Sequence, residues 1–149
     1  MTDFSLDMAA DTAARIVTQP TIMELLDQSG FALPLETELQ YDARDPYAAV
    51  VVFNTERGRI TWSFGRDLLI GGLQEPTGDG DVHVWPCLDS AQRQVVLIEL
   101  TSADGCALVQ APIEDVRCFA DRITALVAPG SESEHLDLDA EIAALLGAA

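Results

Sequence analysis

The sequence contains no lysine, and its eight basic residues are all arginine. A chain without lysine has no Schiff-base nucleophile and no lysine for a phosphate-binding loop. Only two histidines and three cysteines are present, and there is no G-x-S-x-G motif. Because so few pairs of nucleophile and base can be assembled, we predict no catalytic residues, no cofactor and no enzymatic activity.

Cysteine is too sparse for a disulfide framework or a zinc site. The number of cysteines is odd, no C-x-x-C pair occurs, and the three residues are widely spaced at Cys87, Cys106 and Cys118. We therefore expect all three to be small apolar residues in or near the core.

Long apolar runs are missing as well. The longest falls far short of the roughly 20 residues that a membrane-spanning helix needs. The N-terminus carries Asp3, Asp7 and Asp11 instead of a basic segment followed by an apolar one, so we expect no secretory signal. These absences predict a cytoplasmic protein without direct membrane insertion.

Positive charge is also scarce. The chain has 25 acidic residues against eight arginines, which gives a net charge of −17. Such an excess of acid repels polyanions, and a single-strand nucleic-acid groove needs a basic track that eight arginines can hardly supply. We predict that the protein does not bind nucleic acid.

The large side chains are concentrated between Tyr41 and Pro86, a stretch that contains both tryptophans and both tyrosines. Its patterns of period two, its glycines and its change to a helical period predict a hairpin, a short helix and a further strand. The predicted elements are strands at Tyr47–Phe53, Ile60–Phe64 and Val82–Pro86, a helix at Arg66–Leu73 ended by Gly71-Gly72, and a loop at Pro76–Asp81. We expect Tyr47–Phe53 to be buried on both faces, and Trp62, Phe64 and Trp85 to belong to the core.

The remainder of the chain is interpreted in the same way. Leu35–Tyr41 alternates apolar and polar residues, which predicts a strand with one wet face. Val95–Leu100 and Cys106–Ala111 are predicted to be the two strands of a hairpin that turns at Asp104-Gly105. Thr21–Asp27 fits either a helix or a strand. Pro112 is expected at the first position of a helix with an apolar stripe, and a last helix opens at Asp137 and Asp139. Residues 1–20 are interpreted as a weakly ordered extension and residues 21–149 as one domain. Strands followed by helices predict an α+β fold with antiparallel sheets of about six to seven strands, a short helix after the central hairpin and two C-terminal helices.

Two groups of polar residues have donor atoms that could bind a metal. They are Asp79, Asp81 and His83, and His135, Asp137 and Asp139. Neither matches a calcium loop, and a solvated turn and the acidic start of a helix explain them better, so we predict no metal site. Arg66, among aromatic residues, is expected to stack on an aromatic ring or to bridge to an acid of the 79–81 loop, with direct contact to a partner as the alternative.

Three motifs in the Tyr41–Pro86 stretch resemble those of the SsgA-like family of sporulation and cell division proteins. They are YD..DPYA, W.F.RDLL...GL and PTG.GDV.VWP, and the resemblance extends from about Leu35 to the C-terminal DLD.E. The family-motif residues, to which we assign structural roles, are Tyr41, Asp45, Pro46, Tyr47, Trp62, Phe64, Arg66, Asp67, Pro76, Gly78, Gly80, Asp81, Trp85 and Pro86.

The resemblance implies an actinobacterial, non-enzymatic regulator of septation. It implies a protein-binding adaptor that acts in septum-site selection at the cell septum and recruits the tubulin-like division protein FtsZ, or that binds another SsgA-like protein. It further implies a fold similar to that of the Whirly-type single-strand nucleic-acid binders, assembled as a homotrimer. A Whirly-like nucleic-acid-binding protein is therefore the alternative function.

The short helix is the candidate for contact with a partner. Leu68, Leu69, Ile70 and Leu73 place four apolar residues within six positions, which is more than one helix face can bury. We predict that they form an apolar protein-binding patch, with Leu68 or Ile70 exposed.

Overall fold

A computed structural model describes residues 15–136 and 138–147. Eight strands form one curled antiparallel sheet, and three helices follow or interrupt them. The strands are β1 (Ile16–Leu26), β2 (Ala32–Asp42), β3 (Ala48–Thr55), β4 (Gly58–Gly65), β5 (Thr77–Asp79), β6 (Val82–Leu88), β7 (Gln94–Ser102) and β8 (Gly105–Pro112). The helices are α1 (Arg66–Gly72), α2 (Ile113–Leu126) and α3 (Leu138–Gly147), with a 3-10 turn at Glu132–His135 before α3. The α+β class and the antiparallel pairing are confirmed.

The sheet consists of two four-stranded meanders joined edge to edge. Its strand order is β4-β3-β2-β1-β8-β7-β6-β5, so β1 and β8 form the seam, paired over only three residues. The prediction of six to seven strands is wrong because β5 was interpreted as loop. Thr77-Gly78-Asp79 has loop composition and becomes a strand only by pairing with β6 across a tight hairpin.

One face of the sheet forms the core, and we call it the inner face. The alternation predicted for β2 is confirmed: Leu39 and Tyr41 are buried, and their partners across the strands, Val51 of β3 and Val17 of β1, are buried too. Antiparallel neighbours place directly opposed residues on the same face, so the register carries this apolar face across the sheet. β3 lies inside the sheet between β2 and β4, and its outward Val52 is also buried. The predicted burial of Tyr47–Phe53 on both faces is confirmed only in part, because Tyr47 precedes the strand and is exposed and Val50 is half-buried.

The domain begins earlier than the sequence interpretation placed it. β1 starts at Ile16, so residues 16–20 belong to the sheet and not to a weakly ordered extension. Val17 is buried and pairs with Tyr41, which fixes this end of the strand. The first 14 residues of the predicted extension lie outside the described residues. Thr21–Asp27, whose pattern fitted a helix or a strand, is mainly strand.

Helix α2 covers the inner face with the stripe that its spacing predicted. Ile113, Val116, Phe119 and Ile123 are buried against the sheet. Its first turn is tied to β1, because the Thr21 hydroxyl donates to Asp115 Oδ2 at 2.7 Å. Pro112 is the N-cap residue and not the first helical position, a shift of one residue from the prediction.

The three cysteines are exposed, so the expectation that they lie in or near the core is wrong. Cys87 is near the outer end of β6, and Cys106 directly follows the β7–β8 turn, where the sheet extends beyond the core. Cys118 precedes the buried Phe119 on α2 and therefore lies off the apolar stripe.

The predicted aromatic core is only partly confirmed. Phe64 is buried, whereas Trp62 and Trp85 are half-buried. Trp62 lies opposite Val51 on the inner face and packs against the core, but no helix covers it completely.

Candidate protein-binding surface around helix α1

Helix α1 lies close against β6 because its last two residues are glycines. A Cβ atom on Gly72 would overlap the side chain of Val84, and one on Gly71 would press on Thr77. The helix ends at Gly72, as the sequence predicted. The glycines thus serve tight backbone geometry, and they fix α1 directly on the sheet.

Arg66, the first residue of α1, is fully buried and joins three parts of the chain. Its guanidinium lies 5.5 Å from the centre of the Tyr41 ring, and its Nη1 donates to the Tyr41 hydroxyl at 3.4 Å and to the Ile123 carbonyl at 3.3 Å. Nη2 is 3.4 Å from Oε2 of Glu132, which is 6% exposed. We call Arg66, Tyr41, Ile123 and Glu132 the arginine cluster.

The arginine cluster confirms part of the prediction for Arg66 and corrects the rest. The residue stacks on an aromatic ring, but its acidic partner is Glu132 and not an acid of the 79–81 loop. The guanidinium is enclosed by sheet, α2 and 3-10 turn, so direct contact with a partner is excluded in this conformation. Within the described part of the chain, Nε of Arg66 finds no hydrogen-bond partner, so the ion pair and the stacked ring must offset an incomplete set of hydrogen bonds.

The surroundings of the cluster shift two pKa values. The pKa of Glu132 is lowered by its own backbone N–H, by the Gly130 N–H that donates to Oε1 at 2.7 Å, and by the charge of Arg66. Burial raises the pKa of Tyr41 against the opposing charge of Arg66. The Tyr41 hydroxyl also donates to the Pro46 carbonyl at 2.8 Å, which ties the YD..DPYA motif to the cluster.

The predicted binding residues of α1 have two different environments. Leu69 is fully buried in the core, so it supports the helix and offers nothing to a partner. Leu68, Ile70 and Leu73 are half-buried and pack on the edge of the core, so neither Leu68 nor Ile70 is fully exposed.

Ile70 and Leu73 line a shallow depression between α1 and α2. It has a volume of about 330 Å³ and includes Arg117 and Asp121 of α2 among its other lining residues. We call this surface the α1–α2 depression. The apolar side chains of Ile70, Leu73 and Ala120, beside the charged Arg117 and Asp121, can bind the apolar side chain of a protein, with the charges selecting orientation.

In the described part of the chain, no group of three or more metal-binding side chains is found, so Asp79, Asp81 and His83 do not form a site there. Asp79 and His83 lie on the β5–β6 hairpin, and Asp81 is in its turn. In the second group, Asp137 and the side chain of Asp139 lie outside the described residues. Among the described helices, none is long and apolar enough to cross a membrane.

Sequence reasoning missed a large concave surface among the described residues. It is an apolar groove on the inner face, at the end far from the arginine cluster, and its lining residues come from β1, β2, β3, β4, β7, β8 and the β3–β4 turn. The one available signal was Leu33 and Ile60, apolar residues that continue the inner-face alternation beyond the reach of the helices.

The sequence and the fold match a known family. Residues 35–132 match the model of the family described as "Streptomyces sporulation and cell division protein, SsgA". This match covers well over half of the chain, which therefore belongs to the SsgA family.

Individual relatives carry the name SsgB. A sporulation-specific cell division protein SsgB from Kineococcus radiotolerans is 48% identical over 83% of this chain and 76% of its own length. The SsgB of Streptomyces coelicolor is 43% identical over 83% of this chain and 90% of its own. These relatives are named as cell division proteins and not as enzymes.

A solved structure has the same fold. The crystal structure of an SsgA-like sporulation-specific cell division protein from Thermobifida fusca superposes with a TM-score of 0.77 at 35% identity, over 86% of this chain and 93% of that one. The protein therefore belongs to a class with a general role in sporulation and cell division.

Proposed function

We propose that the protein is a non-enzymatic adaptor that acts in septum-site selection, located at the septum in the cytoplasm, and that it recruits the division protein FtsZ as a homo-oligomer. Membership of the SsgA family supports the general role in division. The observation that carries the adaptor mechanism is the α1–α2 depression, an apolar surface on the helix that bears the family's RDLL motif.

The charge of the protein explains why an apolar anchor is needed. A net charge of −17 attracts or repels partners only over about 8 Å at physiological salt, and an acidic partner is repelled. Specific affinity must then come from a few apolar side chains in a compact site. Ile70 and Leu73 supply these, while Arg117 on the rim, which forms an ion pair with Glu114 at 2.7 Å, can exchange that exposed acid for an acidic residue of the partner.

The position of α1 makes the depression rigid. The helix is fixed at its start by the buried Arg66 and at its end by the close approach of Gly72 to Val84. A preformed site loses little conformational entropy when a partner binds. Arg66 and Gly72 of the family motif therefore hold the binding surface in place, whereas Leu73 of the same motif contacts the partner.

The test is to replace Ile70 and Leu73 individually with Asp and to measure co-pelleting with FtsZ polymers and localisation at septa. We expect each substitution to abolish both the co-pelleting with FtsZ and the localisation at septa. Leu88→Asp is the matched control, because Leu88 is an exposed apolar residue at the end of β6, away from the depression. This variant should bind FtsZ as the wild type does. Circular dichroism verifies folding. If every well-folded variant binds and localises as the wild type does, the site lies elsewhere.

The alternative function, single-stranded nucleic-acid binding, is opposed by the same charge. Phosphate contacts dominate such affinity, and it decreases with salt. We expect no specific binding when labelled single strands are titrated at physiological salt. Micromolar or tighter binding that weakens steeply with added salt would reverse the choice between the two functions.

A further inference from the structure

The large apolar groove is open to solvent although it is built from core-type residues. Its volume is about 780 Å³, and Leu33 and Ile60 on its walls are 57% and 49% exposed. The main apolar residues of the groove are Leu25, Leu33, Leu35, Phe53, Ile60 and Trp62. An exposed apolar concavity of this size marks an interaction surface.

Helix α3 has exposed apolar side chains that no other element covers in the described part of the chain. Ile142, Leu145 and Leu146 are 53%, 73% and 72% exposed, and their spacing places them on one face. A helix of ten residues is marginal in water on its own, and an apolar helix is normally buried. α3 therefore needs a packing partner.

The start of α3 and the groove lie near opposite ends of strand β2. α3 starts at most about 16 Å from Glu132, because one 3-10 turn and a few further residues separate them. Glu132 belongs to the arginine cluster beside Tyr41, whereas the groove contains Leu33 at the other end of β2, about 27 Å away along the strand. Both surfaces are exposed, so α3 does not fill the groove of its own chain.

We propose that α3 of one protomer docks into the apolar groove of a second copy. Each chain then contributes one helix and one groove, which makes a head-to-tail contact. Such contacts form a closed ring when the rotation between protomers closes. This inference rests on the homo-oligomer of the proposed function and identifies its interface, and it does not involve the α1–α2 depression.

The rim of the groove lacks the acidic excess of the protein as a whole, because Arg57 stands beside Glu56 there, and the α3 sequence contains Asp139 and Glu141 and no basic residue. The two protomers each carry a charge of −17, so their overall repulsion must be overcome at short range by apolar burial. We therefore expect the association to become stronger, not weaker, as salt is added.

The experiment separates the two halves of the interface. The helix variant carries Leu145→Asp and Leu146→Asp, the groove variant carries Ile60→Asp, and Leu88→Asp is again the control. Sedimentation measures the size of each protein, and circular dichroism confirms folding. If Ile60→Asp does not fold, Leu33→Asp replaces it, since Leu33 is the more exposed of the two.

We expect the wild type and the control to be oligomers and each interface variant to be a monomer of 16.0 kDa. A mixture of the two variants should form a heterodimer and nothing larger, because only one intact helix and one intact groove remain between them. Variants that stay oligomeric, or monomers that fail to pair when mixed, overturn the proposed docking. A wild type that is itself monomeric at high micromolar concentration overturns the homo-oligomer as well, and FtsZ co-pelleting remains an independent measurement.

Discussion

The two ends of the inner sheet face are built from similar residues but have different surroundings. At one end, Leu39 and Tyr41 lie under helices α1 and α2 and are almost fully buried. At the other end, Leu33 on the same strand and the same face is more than half exposed. The apolar alternation continues along the whole strand, but helices cover only one end of it. Apolar alternation alone therefore does not show which residues stabilise the monomer and which remain available for binding.

The largest effect is expected at the covered end. Phe119→Ala removes a fully buried ring from the stripe of α2 and should cost about 3–5 kcal/mol of the free energy of unfolding. Denaturant unfolding measures this cost. The neighbouring Cys118→Ala, on the exposed side of α2, should change stability by no more than about 0.5 kcal/mol. Equal losses in the two variants would mean that α2 does not pack through this stripe.

The next effect concerns the contact that holds α1 over the covered end. Gly72→Ala should destabilise by about 1–3 kcal/mol through overlap with Val84, although alanine favours helices by about 1 kcal/mol. Gly71→Ala is the matched control, since its new Cβ would meet only the side chain of Thr77, and should cost less. Unfolding midpoints at equal concentration decide this, and a stabilising Gly72→Ala would show that α1 does not lie close to β6.

These two predictions rest on features that the sequence made visible to different degrees. The stripe of α2 and the alternation of β2 were predictable because each has one wet and one buried face. Strand β5 was not, since three residues of loop composition form a strand only through their partner. The pairing of Arg66 with Glu132 was equally hidden, because the two are 66 positions apart and the chain has 25 acids from which to choose.

The candidate site likewise has one feature that the sequence predicts and others that depend on how distant parts of the chain pack. That α1 has more apolar residues than one face can bury was evident from its spacing, but which of them face the core depended on where α2 packs. Leu69 proved to be buried, and Ile70 and Leu73 line the depression. The open groove was unpredictable for a related reason: Leu33 and Ile60 have the pattern of core residues, and only the extent of the helices leaves them uncovered.

At the open end, Trp62→Ala should cost less than the loss of the Phe119 ring. A fully buried aromatic would cost about 3–5 kcal/mol, whereas the half-buried Trp62 should cost about 1–2 kcal/mol in the monomer. Denaturant unfolding at low protein concentration measures this value. A cost as large as that of Phe119→Ala would place Trp62 in the core and remove the difference between the two ends.

The smallest effect is the contribution of the covered end to the dependence of stability on pH. The pKa of Glu132 is lowered in the folded protein, so its ionised form adds stability that is fully present above its ordinary pKa of 4.5 and is lost as the pH falls through the lower, folded value. Glu132→Gln removes this contribution, so the variant should be less stable than the wild type at neutral pH and the difference should shrink below about pH 4.5. Unfolding of both proteins across that range measures this difference.

Two other carboxylates contribute to stability in the same acid range. The pKa of Asp42 is lowered by Arg44, and that of Asp89 is lowered by backbone N–H groups. Their contributions cancel when the unfolding free energy of the variant is subtracted from that of the wild type. Glu134→Gln, an exposed change in the same 3-10 turn, should leave stability nearly unchanged at every pH. A stability difference for Glu132→Gln that stays constant down to the acid limit would show that the carboxylate charge is not what holds the arginine cluster together.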